Sequence, residues 1–246
     1  VTGVLDGKVA LVTGAGRGIG RAIAEAYALA GASVCCVART RAEIESASAE
    51  IEARGGRAIA VTADVRDLHA IGGAFERAAG AFGGVDIVVV NAGVITTSAP
   101  VETSDPRMWK ETLEVNLLGA YHSARAAIPH LRRRGAGKII MVGSGLGHRG
   151  RPGGSAYSTS KAGLWMLTRV LAQELAQYKI SVNELVPGPV RTSIGAGVGA
   201  AIGQIPFAET EWIKTPADIV PLALFLATQP DVGPTAQSYS LMRRDG

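Results

Sequence analysis

Apolar residues along the chain fall into two alternating rhythms. Short runs rich in Val and Ile occupy Val9–Val12, Val34–Val37, Ala58–Val61, Ile87–Val90, Ile139–Val142 and Val182–Val186. Between them, apolar positions recur at helical spacing over Ile19–Ala30, Ala42–Arg54, Leu68–Phe82, Met108–Arg134 and Ala156–Gln177. Near-continuous runs predict strands buried on both faces, and the longer stretches predict the helices that cover them. A last helix, Ala217–Ala227, follows Pro216 and leads to an expected seventh strand at Gln237–Met242. The alternation predicts right-handed βαβ units in an α/β fold: a single doubly wound parallel sheet of about seven strands with helices on both faces. No repeat or linker interrupts it, so residues 1–246 read as one domain. The irregular stretch 188–215, rich in Gly and Ala, predicts a lid within that domain.

Composition narrows the class. Hydrophobic residues make up 47% and charged residues 19% of the 246 positions, which fits a globular chain. No apolar run approaches the roughly 20 residues of a membrane span, so no membrane partner is expected. Val1–Lys8 lacks the pattern of a secretory signal. Cys35 and Cys36 are adjacent within a predicted strand, point to opposite faces and form no metal motif. They suit a reducing cytoplasm. The net charge of +4 raises the question of a nucleic acid, but only Arg132, Arg133 and Arg134 cluster, and a solvated helix end explains them.

After the first strand the chain reads Thr13-Gly14-Ala15-Gly16-Arg17-Gly18-Ile19-Gly20. Such a turn lets backbone approach a pyrophosphate and aims the free N–H groups of a helix start at it. No Lys-Ser or Lys-Thr pair follows, so it is not a nucleotide-triphosphate loop. In that context it predicts a Rossmann-type dinucleotide site. The end of the second strand, where an acidic residue commonly receives the ribose hydroxyls, holds Ala38 and then Arg39. With no carboxylate there, Arg39 and Arg17 are candidates to pair with a 2′-phosphate, which favours NADP(H) over NAD(H). The alternative is that Arg39 is an ordinary surface arginine.

Tyr157 and Lys161 lie one helical turn apart. A phenol titrates near ~10, and a neighbouring ammonium lowers that value, turning a tyrosine into a usable acid/base. Ser144 follows the fifth strand, at the carboxyl end where open α/β sheets bind ligands. Asn91-Ala92-Gly93 ends the fourth strand, and Asn116 lies mid-helix, where it needs a partner or a water.

In these segments, together with Asp64-Val65 and Pro187-Gly188, the chain resembles the short-chain dehydrogenase/reductase family over essentially its whole length. It looks most like bacterial 3-oxoacyl-carrier-protein reductase-like and gluconate or sugar-alcohol dehydrogenase-like members. The resemblance implies an oxidoreductase that interconverts a ketone and a secondary alcohol. It makes Tyr157 the acid/base, with Lys161 lowering its pKa and binding the nicotinamide ribose. Ser144 would orient the substrate oxygen, and Asn116 would hold a water between Lys161 and solvent. Gly14, Gly18 and Gly20, with Arg17 and Ile19 among them, would cradle the pyrophosphate. Asp64 and Val65 would meet the adenine, and Asn91, Ala92 and Gly93 would build the adenosine side. Thr192, after Pro187-Gly188, would contact the carboxamide. A homotetramer or dimer through the helices at Met108–Arg134 and Ala156–Gln177 is implied as well. A narrower alternative is reduction of carrier-bound 3-oxoacyl groups. A non-catalytic dinucleotide-binding scaffold is disfavoured by the intact Asn116, Ser144, Tyr157 and Lys161 set.

Two features depart from the family. The tail Thr235-Ala236-Gln237 leads into Ser238-Tyr239-Ser240-Leu241-Met242-Arg243 where relatives commonly read Thr-Gly-Gln and later Asp-Gly-Gly. Glu184 is a charged residue inside an apolar strand, where it either faces solvent or pairs with an arginine. Pocket walls are expected from Val94–Ser98, Gly145–Arg151 and the lid, with Ile194, Ile202, Ile205, Phe207 and Trp212 as its apolar contacts. His148, Arg149 and Arg151 are either a solvated basic loop or a seat for an anionic substrate group.

Overall fold

A computed structural model describes residues 3–194 and 211–243. Seven strands form one parallel sheet in the order 3-2-1-4-5-6-7: β1 (Val9–Thr13), β2 (Ser33–Ala38), β3 (Arg57–Thr62), β4 (Ile87–Val90), β5 (Gly137–Val142), β6 (Ile180–Val186) and β7 (Ser238–Ser240). β1, β4, β5 and β6 are buried throughout, as expected of strands covered on both faces. On one face, α3 (Leu68–Phe82), α5 (Gly119–Arg134) and α6 (Ser155–Leu175) bury Phe75, Leu131 and Leu164. On the other, α1 (Gly18–Leu29), α2 (Arg41–Ala53) and α7 (Val220–Ala227) bury Tyr27, Ile44 and Leu226. Cys35 packs into the first layer and Cys36 into the second, which period-two alternation requires. Burial pushes the Cys36 thiol up to about 12.

Three predicted elements are corrected. The helix expected over Met108–Arg134 is α4 (Pro106–Leu113), a π turn at Glu114–Leu118, and α5. Such a bulge re-aims side chains within an otherwise regular helix, and here it carries Asn116. The seventh strand spans only Ser238–Ser240, because pairing with β6 is confined to Glu184–Val186. The last helix begins as a 3₁₀ turn at Pro216–Ile219 before α7. The Arg132–Arg134 cluster is largely paired within the chain: Arg134 bonds Asp86 at 2.8 Å and Arg132 stacks 4.1 Å from the Tyr178 ring centroid.

The strand order reverses between β1 and β4. The crevice beyond the carboxyl ends of those two strands is where this architecture places ligands.

Candidate active site

A cleft opens at that reversal. Gly14, Arg17, Gly18 and Ile19 line it from the turn after β1, Arg39 from the end of β2, Val65 from the loop after β3, and Asn91, Ala92 and Gly93 from the end of β4. The cradle is shaped for backbone. Gly14 and Gly18 have φ of 66° and 58°, a region that favours glycine. A Cβ at Gly14 would stand 2.8 Å from Asn91 Nδ2, and one at Gly20 would overlap Gly14 O and Asn91 Nδ2. Gly20 therefore serves packing beneath the cradle. Among the described residues the N-cap, Arg17, makes no side-chain bond to the start of α1, which leaves its first amides to meet a diphosphate. These residues fit a dinucleotide.

Several expected contacts take a different form. Asn91 is a lock: its Nδ2 donates to Thr13 O at 2.9 Å and Gly14 O at 3.3 Å, fixing the glycine turn to β4. Asp64 is clamped by Arg66 at 2.7 Å, which holds its carboxyl below the usual range, and its neighbours Ala63 and Val65 line the cleft instead. Thr192 faces Gly18, with its methyl 3.3 Å from where a Cβ there would stand. Pro187-Gly188 closes β6, and Gly188 packs toward Met242 and Lys214 instead of lining the cleft.

One charged cleft residue escaped the sequence reading. Glu43, in the first turn of α2, lines the cleft beside Gly16 and pairs with Arg17 at 3.5 Å. Arg39 meets Asp64 at 3.9 Å. Both arginines thus have carboxylates near them, and the absence of an acid at Ala38 does not make this end purely cationic. The helical position of Glu43, five residues beyond Ala38, was the available signal.

Behind the far end of the cleft stand Ser144, Tyr157 and Lys161. Gly93 joins the two regions, since a Cβ there would lie 3.4 Å from Asn116 Oδ1 and 3.8 Å from Lys161 Nζ. Lys161 is 3% exposed and donates to Val142 O at 2.7 Å. Its ammonium lies 5.9 Å from the Tyr157 ring centroid. Burial pulls Lys161 down to about 8, and Glu184 opposes that fall. Burial also pushes the Tyr157 phenol up, while the Ser144 hydroxyl beside it pulls the other way. The expected lowering by Lys161 is therefore not what governs the phenol here; desolvation of the phenolate is.

Ser144 starts a short 3₁₀ turn, its Oγ accepting from Leu146 N at 3.2 Å. Asn116 satisfies itself through Val94 N, Val94 O and Ser160 Oγ at 2.8, 3.0 and 3.1 Å. It touches the residue before Lys161 and makes no direct bond to the ammonium. Of the residues expected as apolar lid contacts, Ile194 is 38% and Trp212 71% exposed, whereas Ile202, Ile205 and Phe207 lie outside the described residues.

Glu184 is fully buried and, among the described residues, pairs with no arginine. It accepts from His148 Nε2 at 2.9 Å and from Ser238 Oγ. Both expectations for it are corrected. The sheet is covered on both faces, so solvent was never within reach of a β6 side chain at this position.

Residues 8–202 match the family of short chain dehydrogenases. The chain is 38% identical to trans-4-hydroxycyclohexanecarboxylate dehydrogenase of Sinomonas cyclohexanicum over 90% of its length and 86% of the relative's. A 3-ketoacyl-ACP reductase from Sinorhizobium meliloti 1021 superposes with a TM-score of 0.87 at 35% identity, covering 95% of this chain and 96% of that one. Carveol dehydrogenase from Mycobacterium avium, in complex with NAD, superposes with a TM-score of 0.90 at 26% identity and 98% coverage of both.

Proposed function

The chain belongs to the short-chain dehydrogenase family, and from that premise we propose that it interconverts a ketone and a secondary alcohol with a nicotinamide dinucleotide. The observation that carries this reading is the buried Lys161 ammonium behind Gly93 at the end of a glycine-lined cleft, with Tyr157 beside it and hydrogen-bonded to Ser144. When bound, the dinucleotide supplies or accepts the hydride. The protein's own task is alignment and proton handling. Gly14, Gly18 and Ile19 hold the diphosphate, while Val65, Ala92 and Gly93 shape the adenosine side. Ser144 Oγ donates to the substrate oxygen and fixes it beside Tyr157. The Tyr157 hydroxyl gives that oxygen its proton during reduction and takes it back during oxidation. Lys161 places positive charge near the phenol and stabilises the phenolate that proton donation leaves.

NADP(H) is the proposed preference, carried by Arg39 and Arg17. Glu43 weighs against it, since its carboxylate neutralises Arg17 and would repel a 2′-phosphate, leaving Arg39 to supply the selectivity. Cyclic secondary alcohols are the proposed substrate class, supported by the names of two of the relatives above. Reduction of carrier-linked 3-ketoacyl groups is the second reading, supported by the superposition on the 3-ketoacyl-ACP reductase. The test is a panel of cyclic alcohols, their ketones and a carrier-linked ketone, followed by absorbance of the reduced nicotinamide. Turnover of a cyclic pair is expected. No turnover of any member contradicts the proposal.

Assembly as a homotetramer or dimer is proposed through the outer helices, where Met108, Leu118, Tyr121, Met166 and Val170 are 40–50% exposed. Such apolar exposure suits an interface between copies. Light scattering should give a mass well above the 25.3 kDa of one chain. The described residues contain no helix long and apolar enough to cross a membrane. The two buried free thiols support a reducing, cytoplasmic setting.

A further inference from the structure

Glu184 is the most heavily buried acid among the described residues, and the reaction as derived above gives it no task. Its carboxylate, carried on β6, is at 0% exposure. A carboxylate so placed is costly unless it is well partnered. Here one oxygen is served twice and the other not at all. Oε2 accepts from His148 Nε2 and Ser238 Oγ, whereas Oε1, equally buried, accepts no hydrogen bond among the described residues.

The location is informative. Oε1 lies against Gly143, where any Cβ would overlap it. Gly143 stands between Val142, whose carbonyl holds the Lys161 ammonium, and Ser144. His148 leaves the same loop four residues after Ser144 and lays its ring edge-on against Trp165, 5.2 Å between centroids, one turn beyond Lys161 on α6. Gly147 packs on the Lys161 backbone so closely that a Cβ would stand 2.8 Å from its carbonyl carbon. The Ser144 loop is thus held between α6 on one side and Glu184 with β7 on the other.

Resting on the reaction assigned above, we propose that Glu184 is a positioning residue. It tethers the Ser144–Arg149 loop through His148 and Ser238, and it presents negative charge to the wall on which Lys161 is fixed. The atypical tail then has a purpose, because Ser238 of β7 supplies one of the two donors. Because an ionised carboxylate only accepts, the Nε2 of His148 carries the proton in this pair. The titratable groups around Lys161 are Tyr157 on its own helix, Glu184 on β6 and His148 on the loop. The elements at β4 and the π turn present Gly93 and Asn116, which do not titrate.

Two variants of the full chain test this. Glu184→Gln keeps the shape and removes the charge. It should move the alkaline limb of kcat/KM for ketone reduction at least half a pH unit lower, since Lys161 loses its proton more readily. His148→Phe keeps the ring on Trp165 and removes the tether. It should raise amide hydrogen exchange at Gly145–Arg149 at least fivefold. A limb that stays in place or moves higher in the first variant overturns the proposal, as does unchanged loop exchange in the second. Should Glu184→Gln fail to fold, Glu184→Asp retains the charge on a shorter arm and should raise loop exchange with the limb unmoved; unchanged exchange there also overturns it. A wild-type enzyme inactive on every ketone and alcohol, or an active Tyr157→Phe variant, sinks the assigned reaction instead, while loop exchange still judges the tether.

Discussion

At one end of the cleft, Arg17 with Glu43 and Arg39 with Asp64 pair at 3.5 and 3.9 Å, and the arginine side chains are 65% and 49% exposed. At the other end, Lys161 is 3% and Glu184 0% exposed, and the key contacts are hydrogen bonds of 2.7 and 2.9 Å. Charges of the first kind are screened by water and salt, and each pair contributes at most about 1 kcal/mol. Charges of the second kind have lost their hydration, so moving one proton or one atom there has a much larger consequence. The difference teaches where selectivity and chemistry reside. Under the proposed reaction, weak, adjustable surface pairs set cofactor preference, and a few buried groups that tolerate little change set the rate.

The largest effect expected outside Tyr157 is at Lys161. Lys161→Met should lower kcat for reduction by at least about a hundredfold, within the usual range for losing acid/base assistance. The same change should raise the melting temperature at neutral pH. Burial holds Lys161 near 8, below its unfolded value of about 10.4, so the unfolded chain binds more protons between those values. Stability therefore rises with pH across that window in the wild type, and the contribution disappears in the variant. Thermal melts at pH 7 and pH 9.5 check both parts. A less stable variant at pH 7 would show that the Val142 bond outweighs the burial cost.

Effects at the exposed end are smaller. Arg39→Ala should reduce the NADPH over NADH preference by about tenfold, or ~1.4 kcal/mol, mainly through the affinity for NADPH. Glu43→Gln should act in the opposite sense, by about threefold, because it frees Arg17 and removes a repelling carboxylate. Ratios of kcat/KM for the two cofactors measure both. If Glu43→Gln leaves the ratio unchanged while Arg39→Ala reverses it, Arg39 alone sets the preference.

The same contrast marks what the sequence made legible. Strands such as Val9–Val12 and Ile139–Val142 announce themselves because a doubly covered sheet demands continuous apolar runs. The glycine turn is legible because backbone conformation limits residue type locally. Tyr157 and Lys161 are legible because one helix places them a turn apart. What escaped depends on approaches between distant segments. Glu43 reaches the cleft only because α2 starts beside the glycine turn. Asn116 becomes a brace for the Val94 loop through a π turn that periodicity averages away. Glu184 was visible as an anomaly in β6, but its donors lie 36 residues before it and 54 residues after it. No local spacing links them.

The most direct test of the central claim is a single-turnover comparison of wild type and Tyr157→Phe, with dinucleotide binding measured in parallel. The hydroxyl is assigned to proton transfer and not to holding the cofactor. Reduction should therefore fall by at least about a thousandfold, at the upper part of the range for acid/base catalysis, while dinucleotide affinity changes less than about threefold. Turnover within tenfold of wild type in the phenylalanine variant would contradict the account.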